Sequence, residues 1–234
     1  MEISVCACMY RQIMNREEIT KLVSALRNAG HAVTVIPDLC KTTISDSEQM
    51  AAIASTTVVA CYPRAVRSLF NSLGLKPEQV FDIRNHSCEQ ILGEMGVLIP
   101  DFTALDDICN SSLIGEIYNA TSSPANEQEA WNPVIDKERC TECAKCHDFC
   151  LFGVYSVDHG TVKVKQPQNC KNNCPACARV CPSNAIIFPK YEKSPVNGGL
   201  HNEEKLDETD TKVIYNIALK YKLEERRAKV SLFK

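Results

Sequence analysis

The sequence predicts an α/β domain built on a small doubly wound parallel sheet, followed by a smaller α+β module and a C-terminal helix. Three observations carry this prediction. Apolar, β-branched segments alternate with amphipathic segments over roughly the first 85 residues. Eight of the 14 cysteines crowd into residues 140–181. A charged stretch at 209–229 then places its apolar side chains at helical spacing.

The amino-terminal segments follow one another as the strands and helices of a parallel α/β layer do. The helix at 16–29 has Ile19, Leu22 and Leu26 at helical spacing, and Gly30 ends it. Pro63 suits the first turn of a later helix. The predicted order is strand 3–8, helix 16–29, strand 32–36, helix 47–54, strand 56–60, helix 63–73, strand 79–83 and helix 88–95, with a further helix at 101–118.

The second half of the chain contains its own linker and turn signals. The segment 121–130 is small, polar and broken by proline, which is typical of a linker. The turn sequence Asp158-His159-Gly160 lies between two short apolar strands. The predicted division is an α/β cysteine-bearing domain at 1–120, a linker at 121–135 that ends in an apolar strand, a cysteine-rich domain at 136–190 with strands at 154–157, 162–164 and 185–188, and an extended arm with the C-terminal helix at 191–234.

The eight cysteines of the second domain form two runs of four. The first run spaces its cysteines as Cys-x2-Cys-x2-Cys-x3-Cys, and the second as Cys-x3-Cys-x2-Cys-x3-Cys-Pro. A loop with a cysteine at every third residue can wrap a cubane of iron and sulfide. The alternative is a pair of four-cysteine zinc sites, which usually show two separated Cys-x2-Cys pairs each. The members are Cys140, Cys143, Cys146 and Cys150 in the first run, and Cys170, Cys174, Cys177 and Cys181 in the second.

These runs resemble the signature of the bacterial two-cluster ferredoxin module. The resemblance implies two 4Fe-4S clusters, with the fourth cysteine of each run bound to the other cluster. Two departures change the loops but remove no ligand: Leu151 stands where the family has a proline, and the second loop, with Asn172 and Asn173, is one residue longer. The implied ligand sets are Cys140, Cys143, Cys146 and Cys181 for one cluster, and Cys170, Cys174, Cys177 and Cys150 for the other.

Further cysteines mark the ends of the predicted amino-terminal strands. Because parallel strands open their carboxyl ends at one edge of the sheet, these segments are expected to deliver thiols to one place. The alternative is that they are inert core side chains, since cysteine is often buried. Cys6 and Cys8 close the first strand, Cys40 follows the second, Cys61 ends the third and Cys88 follows the fourth.

The segments that carry these cysteines, above all Cys61-Tyr62-Pro63-Arg64, resemble the amino-terminal domain of the heterodisulfide reductase A subunit. That subunit is an iron-sulfur flavoprotein. The resemblance implies a third iron-sulfur cluster held by Cys40, Cys61, Cys88 and one or both of Cys6 and Cys8. The nine glycines never form the Gly-x-Gly-x-x-Gly fingerprint, so neither a flavin nor NAD is predicted.

Composition narrows the function further. The formal net charge of -3 argues against nucleic-acid binding. Residues 1–120 hold 9 basic and 14 acidic side chains, whereas residues 136–190 hold 8 and 5. No apolar run approaches the ~20 residues of a membrane-spanning helix, and many cysteines without a signal segment favour a reducing cytoplasm.

The predicted function is electron transfer, as a subunit that relays electrons to redox partner proteins within an anaerobic oxidoreductase complex of heterodisulfide-reductase type. No catalytic residues are identified, because no serine-histidine-acid or paired-carboxylate grouping can be argued from the sequence. Two alternatives stay open. One is a reductase whose amino-terminal iron-sulfur site is catalytic, and the other is a redox-sensing or cluster-delivery protein.

Overall fold

A computed structural model describes residues 1–11, 13–97, 115, 117–118 and 129–199. The chain divides into two compact units, residues 1–130 and 131–234. The predicted C-terminal helix at 209–229 and nearly all of the predicted helix at 101–118 lie outside the described residues. Within those residues, no helix combines the length and hydropathy that crossing a membrane requires.

The first unit contains a four-stranded parallel sheet with strand order β2-β1-β3-β4. Each strand is followed in sequence by a helix, which is how a chain returns to begin the next parallel strand. The strand order reverses between β1 and β3: β2 lies on the far side of β1, and β4 lies on the far side of β3. The strands are β1 (Glu2–Cys6), β2 (Ala32–Ile36), β3 (Thr57–Ala60) and β4 (Gln79–Asp82).

Helices flank this sheet and bury its apolar side chains. Helix α1 begins after Asn15, whose side chain accepts the Glu17 backbone N–H at 2.9 Å. Gly30 follows the helix with a φ of 81°, which glycine adopts without a steric cost. The helices are α1 (Arg16–Asn28), α2 (Leu39–Ser45), α3 (Ser47–Ala54), α4 (Pro63–Ser72) and α5 (Cys88–Glu94).

Helix α2 is absent from the sequence prediction. Its Leu39-Cys40-Lys41-Thr42-Thr43-Ile44-Ser45 sequence is rich in β-branched residues, which lower helix propensity. The buried Asp38 begins the helix by accepting the Lys41 N–H at 3.1 Å. The Thr42 and Thr43 hydroxyls donate to carbonyls one turn back, at 3.0 and 2.8 Å. Local capping and burial therefore override a weak intrinsic preference.

The second unit contains two short antiparallel pairs. Strand β5 (Val134–Ile135) pairs with β8 (Ile186–Ile187), so the beginning and end of the cysteine-rich segment meet. Strand β6 (Tyr155–Asp158) pairs with β7 (Thr161–Val164). His159 and Gly160 form the turn between them with φ angles of 47° and 79°. These positive angles suit the twist of a two-residue hairpin.

The cysteine loops carry short helices of their own, α6 (Lys145–Phe149) and α7 (Ala176–Arg179), and a 3-10 turn at Pro167–Asn169. A core cluster beneath them includes Trp131, Phe188, Cys146 and Cys177. The rings of Trp131 and Phe188 stack with centroids 5.3 Å apart. The small apolar core thus includes cysteines from both runs.

Candidate metal centres

One cavity of the second unit is lined by four cysteines. Cys140 and Cys143 come from the loop that leads into α6, Cys146 lies in the first turn of that helix, and Cys181 comes from the far end of the second run. The space among the lining residues is about 280 Å³, part of it open to solvent. Sequence-distant thiols therefore surround a single space, with Val162 of β7 also in its wall.

The thiols of this cavity affect each other electrostatically. Burial, together with nearby Cys181, Cys140 and Cys143, raises the pKa of Cys146 to about 12. Burial also raises the pKa of Cys140, and the charges of Glu142 and Cys181 contribute to this rise. Crowded thiolates repel one another, and a bound metal group supplies the positive charge that they lack. The donor set therefore fits an iron-sulfur cluster.

Cys181 also receives hydrogen bonds from its own loop. The backbone N–H of Ala185 donates to Cys181 Sγ at 3.3 Å. Ser183 Oγ lies 3.6 Å from the same sulfur. A backbone donor of this kind orients a sulfur that binds a metal.

The second set gathers around Cys177. Burial raises the pKa of Cys177, and the hydroxyl of Tyr155 opposes this shift, while Cys170 and Cys150 add to it. Burial raises the pKa of Cys170 to about 12, with Cys174 and Cys150 contributing. Cys150 ends the first run in sequence, yet in space it lies near cysteines of the second run.

The loops curl around these cysteines through left-handed backbone positions. Glu142, Ala144, Asn173 and Asn184 have φ angles of 52°, 57°, 60° and 50°. Asparagine tolerates this region better than most residues because its side chain can bond locally. Asn173 belongs to the loop that is one residue longer than the ferredoxin pattern, and its left-handed conformation turns that loop.

Among the described residues, no three His, Cys, Asp or Glu side chains lie close enough to share one metal ion. A tetrahedral zinc ion would draw four sulfurs to about 2.3 Å from a single point. A 4Fe-4S cluster instead offers one iron to each of four cysteines, so its ligands stand further apart. The four cysteines line one cavity but are not arranged around a single ion, which is compatible with a 4Fe-4S cluster.

Three cysteines of the first unit lie near each other at the carboxyl edge of the sheet. Cys6 ends β1, and Cys61 follows β3, the neighbouring strand across the reversal of strand order. Burial raises the pKa of Cys6 well above its usual range, with contributions from Cys8, Asp38 and Cys61. Burial and Cys8 raise the pKa of Cys61, which Arg84 opposes, and the pKa comes to about 12.

Cys8 lies beyond β1, although the prediction placed it inside the first strand. Its φ of 46° turns the chain out of the sheet, and its side chain is only 8% exposed. Cys40 is buried in the first turn of α2, next to Leu39, whose backbone N–H donates to Cys6 Sγ at 3.4 Å. Cys88 begins α5, and its backbone N–H donates to the Glu18 carboxylate of α1 at 2.7 Å.

Tyr118, which lies near these thiols, and its neighbour Arg16 were not anticipated from the sequence. The Arg16 guanidinium lies 4.6 Å from the centroid of the Tyr118 ring. Arg16 Nε and the Tyr118 hydroxyl are buried, and neither has a hydrogen-bond partner in the described part of the chain. Burial raises the pKa of Tyr118 to about 12, Arg16 opposes this, and Cys6 and Cys8 add to it. No sequence pattern links Arg16 to a tyrosine so distant along the chain.

Comparison with known proteins gives relatives of one kind. No protein-family model matches the chain. An uncharacterized ferredoxin of Methanocaldococcus jannaschii is 35% identical over 135 residues, which is 52% of this chain and 91% of the relative. The pyruvate synthase subunit PorD of the same organism is 35% identical over 81 residues, covering 33% and 92%. A second uncharacterized ferredoxin from that organism is 35% identical over 58 residues, covering 24% and 74%.

Proposed function

Because the chain belongs to the ferredoxin family, we propose that it carries electrons between redox partner proteins through two 4Fe-4S clusters in residues 136–190. The family supports an iron-sulfur electron-transfer role. The observation that supports the exchanged fourth ligand is the cavity that Cys181 shares with three cysteines of the other run. When bound, each cluster accepts and releases one electron.

The protein's part in this function is to hold and shield the clusters. We assign one set to Cys140, Cys143, Cys146 and Cys181, and the other to Cys150, Cys170, Cys174 and Cys177. The exchanged fourth ligands join the two loops, so that neither site closes without the other run. The pairing of β5 with β8 brings the ends of the segment together and limits the conformations that the unloaded loops can take.

The partner is proposed to be a larger oxidoreductase in which this chain is a subunit. The relative PorD is a subunit of pyruvate synthase, which supports membership of an oxidoreductase complex. The resemblance of residues 1–90 to the heterodisulfide reductase A subunit favours a complex of that type. Residues 136–190, with 8 basic and 5 acidic side chains, suit an acidic docking surface on the partner.

A third cluster is proposed for the first unit, at the sheet edge where the strand order reverses. Cys6, Cys8 and Cys61 supply neighbouring thiols there, and Cys40 is adjacent through Leu39. The buried donors Arg16 Nε and Tyr118 hydroxyl support the proposal, since an anionic cluster with sulfide acceptors would satisfy both. Buried polar groups without partners are costly, so such donors indicate a missing acceptor.

A reductase is the second candidate. It is favoured by the grouping of three thiols, Cys6, Cys8 and Cys61, near the phenol of Tyr118. With only three thiolate ligands, a cluster would have one iron open to a substrate. Turnover of a disulfide by the reduced, fully loaded chain would favour this candidate over a pure relay.

The test is the iron and sulfide content of anaerobically purified full-length protein. Two clusters give about 8 irons per chain and three give about 12. Cys61→Ser should remove about 4 irons only if the third cluster exists, whereas Cys143→Ser should remove about 4 in either case. Stoichiometric zinc in place of iron would overturn the proposal.

A further inference from the structure

The hydroxyl of Tyr155 lies 3.1 Å from Cys177 Sγ and donates a hydrogen bond to it. We infer that Tyr155 sets the reduction potential of the cluster to which Cys177 is assigned, and that it makes the reduction potentials of the two clusters of residues 136–190 differ. This inference rests on the proposed two-cluster function. It makes Tyr155 a positioning and tuning residue, not a ligand.

The hydroxyl is held in place by structure outside the cysteine loops. Tyr155 begins β6 and pairs with Val164 of β7, so the hairpin fixes its backbone. Its ring packs in the core cluster, and the side chains of Tyr155 and Cys177 are only 5% and 7% exposed. The donor therefore cannot turn to water without breaking the core.

The physical effect has a definite sign. Reduction adds negative charge to a cluster, and part of that charge falls on its thiolates. A hydrogen-bond donor at a thiolate sulfur stabilises the reduced form more than the oxidised form. The surroundings of Tyr155 and Cys177 have a low dielectric, where such a bond is stronger than in water. The hydroxyl thus raises the potential.

The other set receives its hydrogen bonds from the backbone, and the Ala185 N–H donates to Cys181 Sγ at 3.3 Å. Its counterpart to the Tyr155 hydroxyl is Ser183 Oγ, 3.6 Å from Cys181 Sγ and only partly buried. Only the potential of the Cys177 cluster should therefore depend on the Tyr155 hydroxyl.

The test compares full-length, anaerobically loaded protein with its Tyr155→Phe variant by film voltammetry and by potentiometric titration followed by electron paramagnetic resonance. Tyr155→Phe keeps the ring and removes only the hydroxyl. One of the two potentials should move to a more negative value, the other should stay, and the iron content should not change. Ser183→Ala should move only the other potential, and by less.

A control variant and a fluorotyrosine variant test whether the Tyr155 hydroxyl itself causes the shift. Tyr191→Phe is the matched control, because the Tyr191 hydroxyl accepts from Arg179 on the surface, and it should move neither potential. Site-specific 3-fluorotyrosine at position 155 makes the hydroxyl a stronger donor and should move the Tyr155-sensitive potential upward, even if Tyr155→Phe fails to load.

Unchanged potentials in a fully loaded Tyr155→Phe variant, or an equal shift of both potentials, would overturn the inference. So would a fluorotyrosine variant that behaves as the parent. These outcomes leave the two clusters in place. Absence of two clusters in the parent protein would instead refute the proposed function itself.

Discussion

The carboxylate of Glu142 accepts the backbone N–H of Val162 at 2.5 Å and so ties the first cysteine loop to strand β7. Lys137 Nζ completes the bridge, 3.3 Å from the same carboxylate and 2.8 Å from the Val162 carbonyl oxygen. Burial alone would raise the pKa of Glu142, but these partners outweigh burial and hold it below its usual value. Because Glu142 lies between Cys140 and Cys143 in the sequence, the bridge restrains the loop that carries both cysteines.

Glu142→Ala should therefore weaken the first loop. A hydrogen bond to a charged group contributes about 2 kcal/mol, and the variant leaves the Val162 N–H without this acceptor. We expect a lower midpoint of thermal unfolding and faster loss of visible cluster absorbance. Glu138→Ala is the control, because Glu138 is exposed in the same turn. Equal behaviour of the two variants would show that the bridge adds nothing.

Cys181→Ser should remove the cluster assigned to the first run, because Cys181 lines the same cavity as Cys140. The decisive comparison is between double variants. Cys140→Ser with Cys181→Ser should cost about 4 irons, no more than either single change, since both act on one cluster. Cys174→Ser with Cys181→Ser should cost about 8.

Iron and sulfide analysis of the full-length variants checks this prediction. Ser183→Ala serves as the control, since it changes the residue beside Cys181 Sγ without removing a thiol. The reverse pattern, with the Cys174 and Cys181 changes acting on one cluster, would mean that each run binds its own four ligands.

Tyr118→Phe should have opposite effects with and without iron. A buried hydroxyl without an acceptor costs about 1–3 kcal/mol, so removing it should stabilise the iron-free first unit. In the loaded protein the same change should remove a hydrogen bond to the third cluster and lower its retention. Thermal unfolding with and without a chelator measures both.

Tyr10→Phe is the matched control for that experiment. The Tyr10 hydroxyl already accepts from Lys41 Nζ at 3.3 Å. Its loss should lower the unfolding midpoint slightly under both conditions. If Tyr118→Phe behaves the same way as Tyr10→Phe, the buried hydroxyl has no role at a metal site.

Asn15→Ala should destabilise helix α1 by about 1 kcal/mol, because it removes the side chain that caps the Glu17 N–H. Asn15→Asp should be close to neutral, since aspartate is an equally good cap. Denaturant unfolding followed by circular dichroism distinguishes the two. Because α1 begins with Arg16, the stability of this helix affects the position of the Arg16 side chain against the Tyr118 ring.

Local patterns predicted much of the secondary structure. The predicted strand at 32–36 coincides with β2, and the predicted helix at 47–54 coincides with α3. Both depend on short-range periodicity and on capping residues that lie within them or beside them. Helix α2 was missed because its stability comes from the buried Asp38 cap and from threonine bonds to the backbone. Such support follows from burial, which propensity does not report.

The sequence by itself determined the chemistry of the candidate centres: soft thiol ligands, in two runs whose spacing can wrap a cluster. The ferredoxin relatives confirm an iron-sulfur module. Only the tertiary structure placed Cys181 in the cavity of Cys140, the Tyr155 hydroxyl at Cys177 and Tyr118 near Arg16 and Cys6. Each of these pairs joins distant segments, and their approach depends on strand pairing and core packing, which residue spacing along a chain does not record.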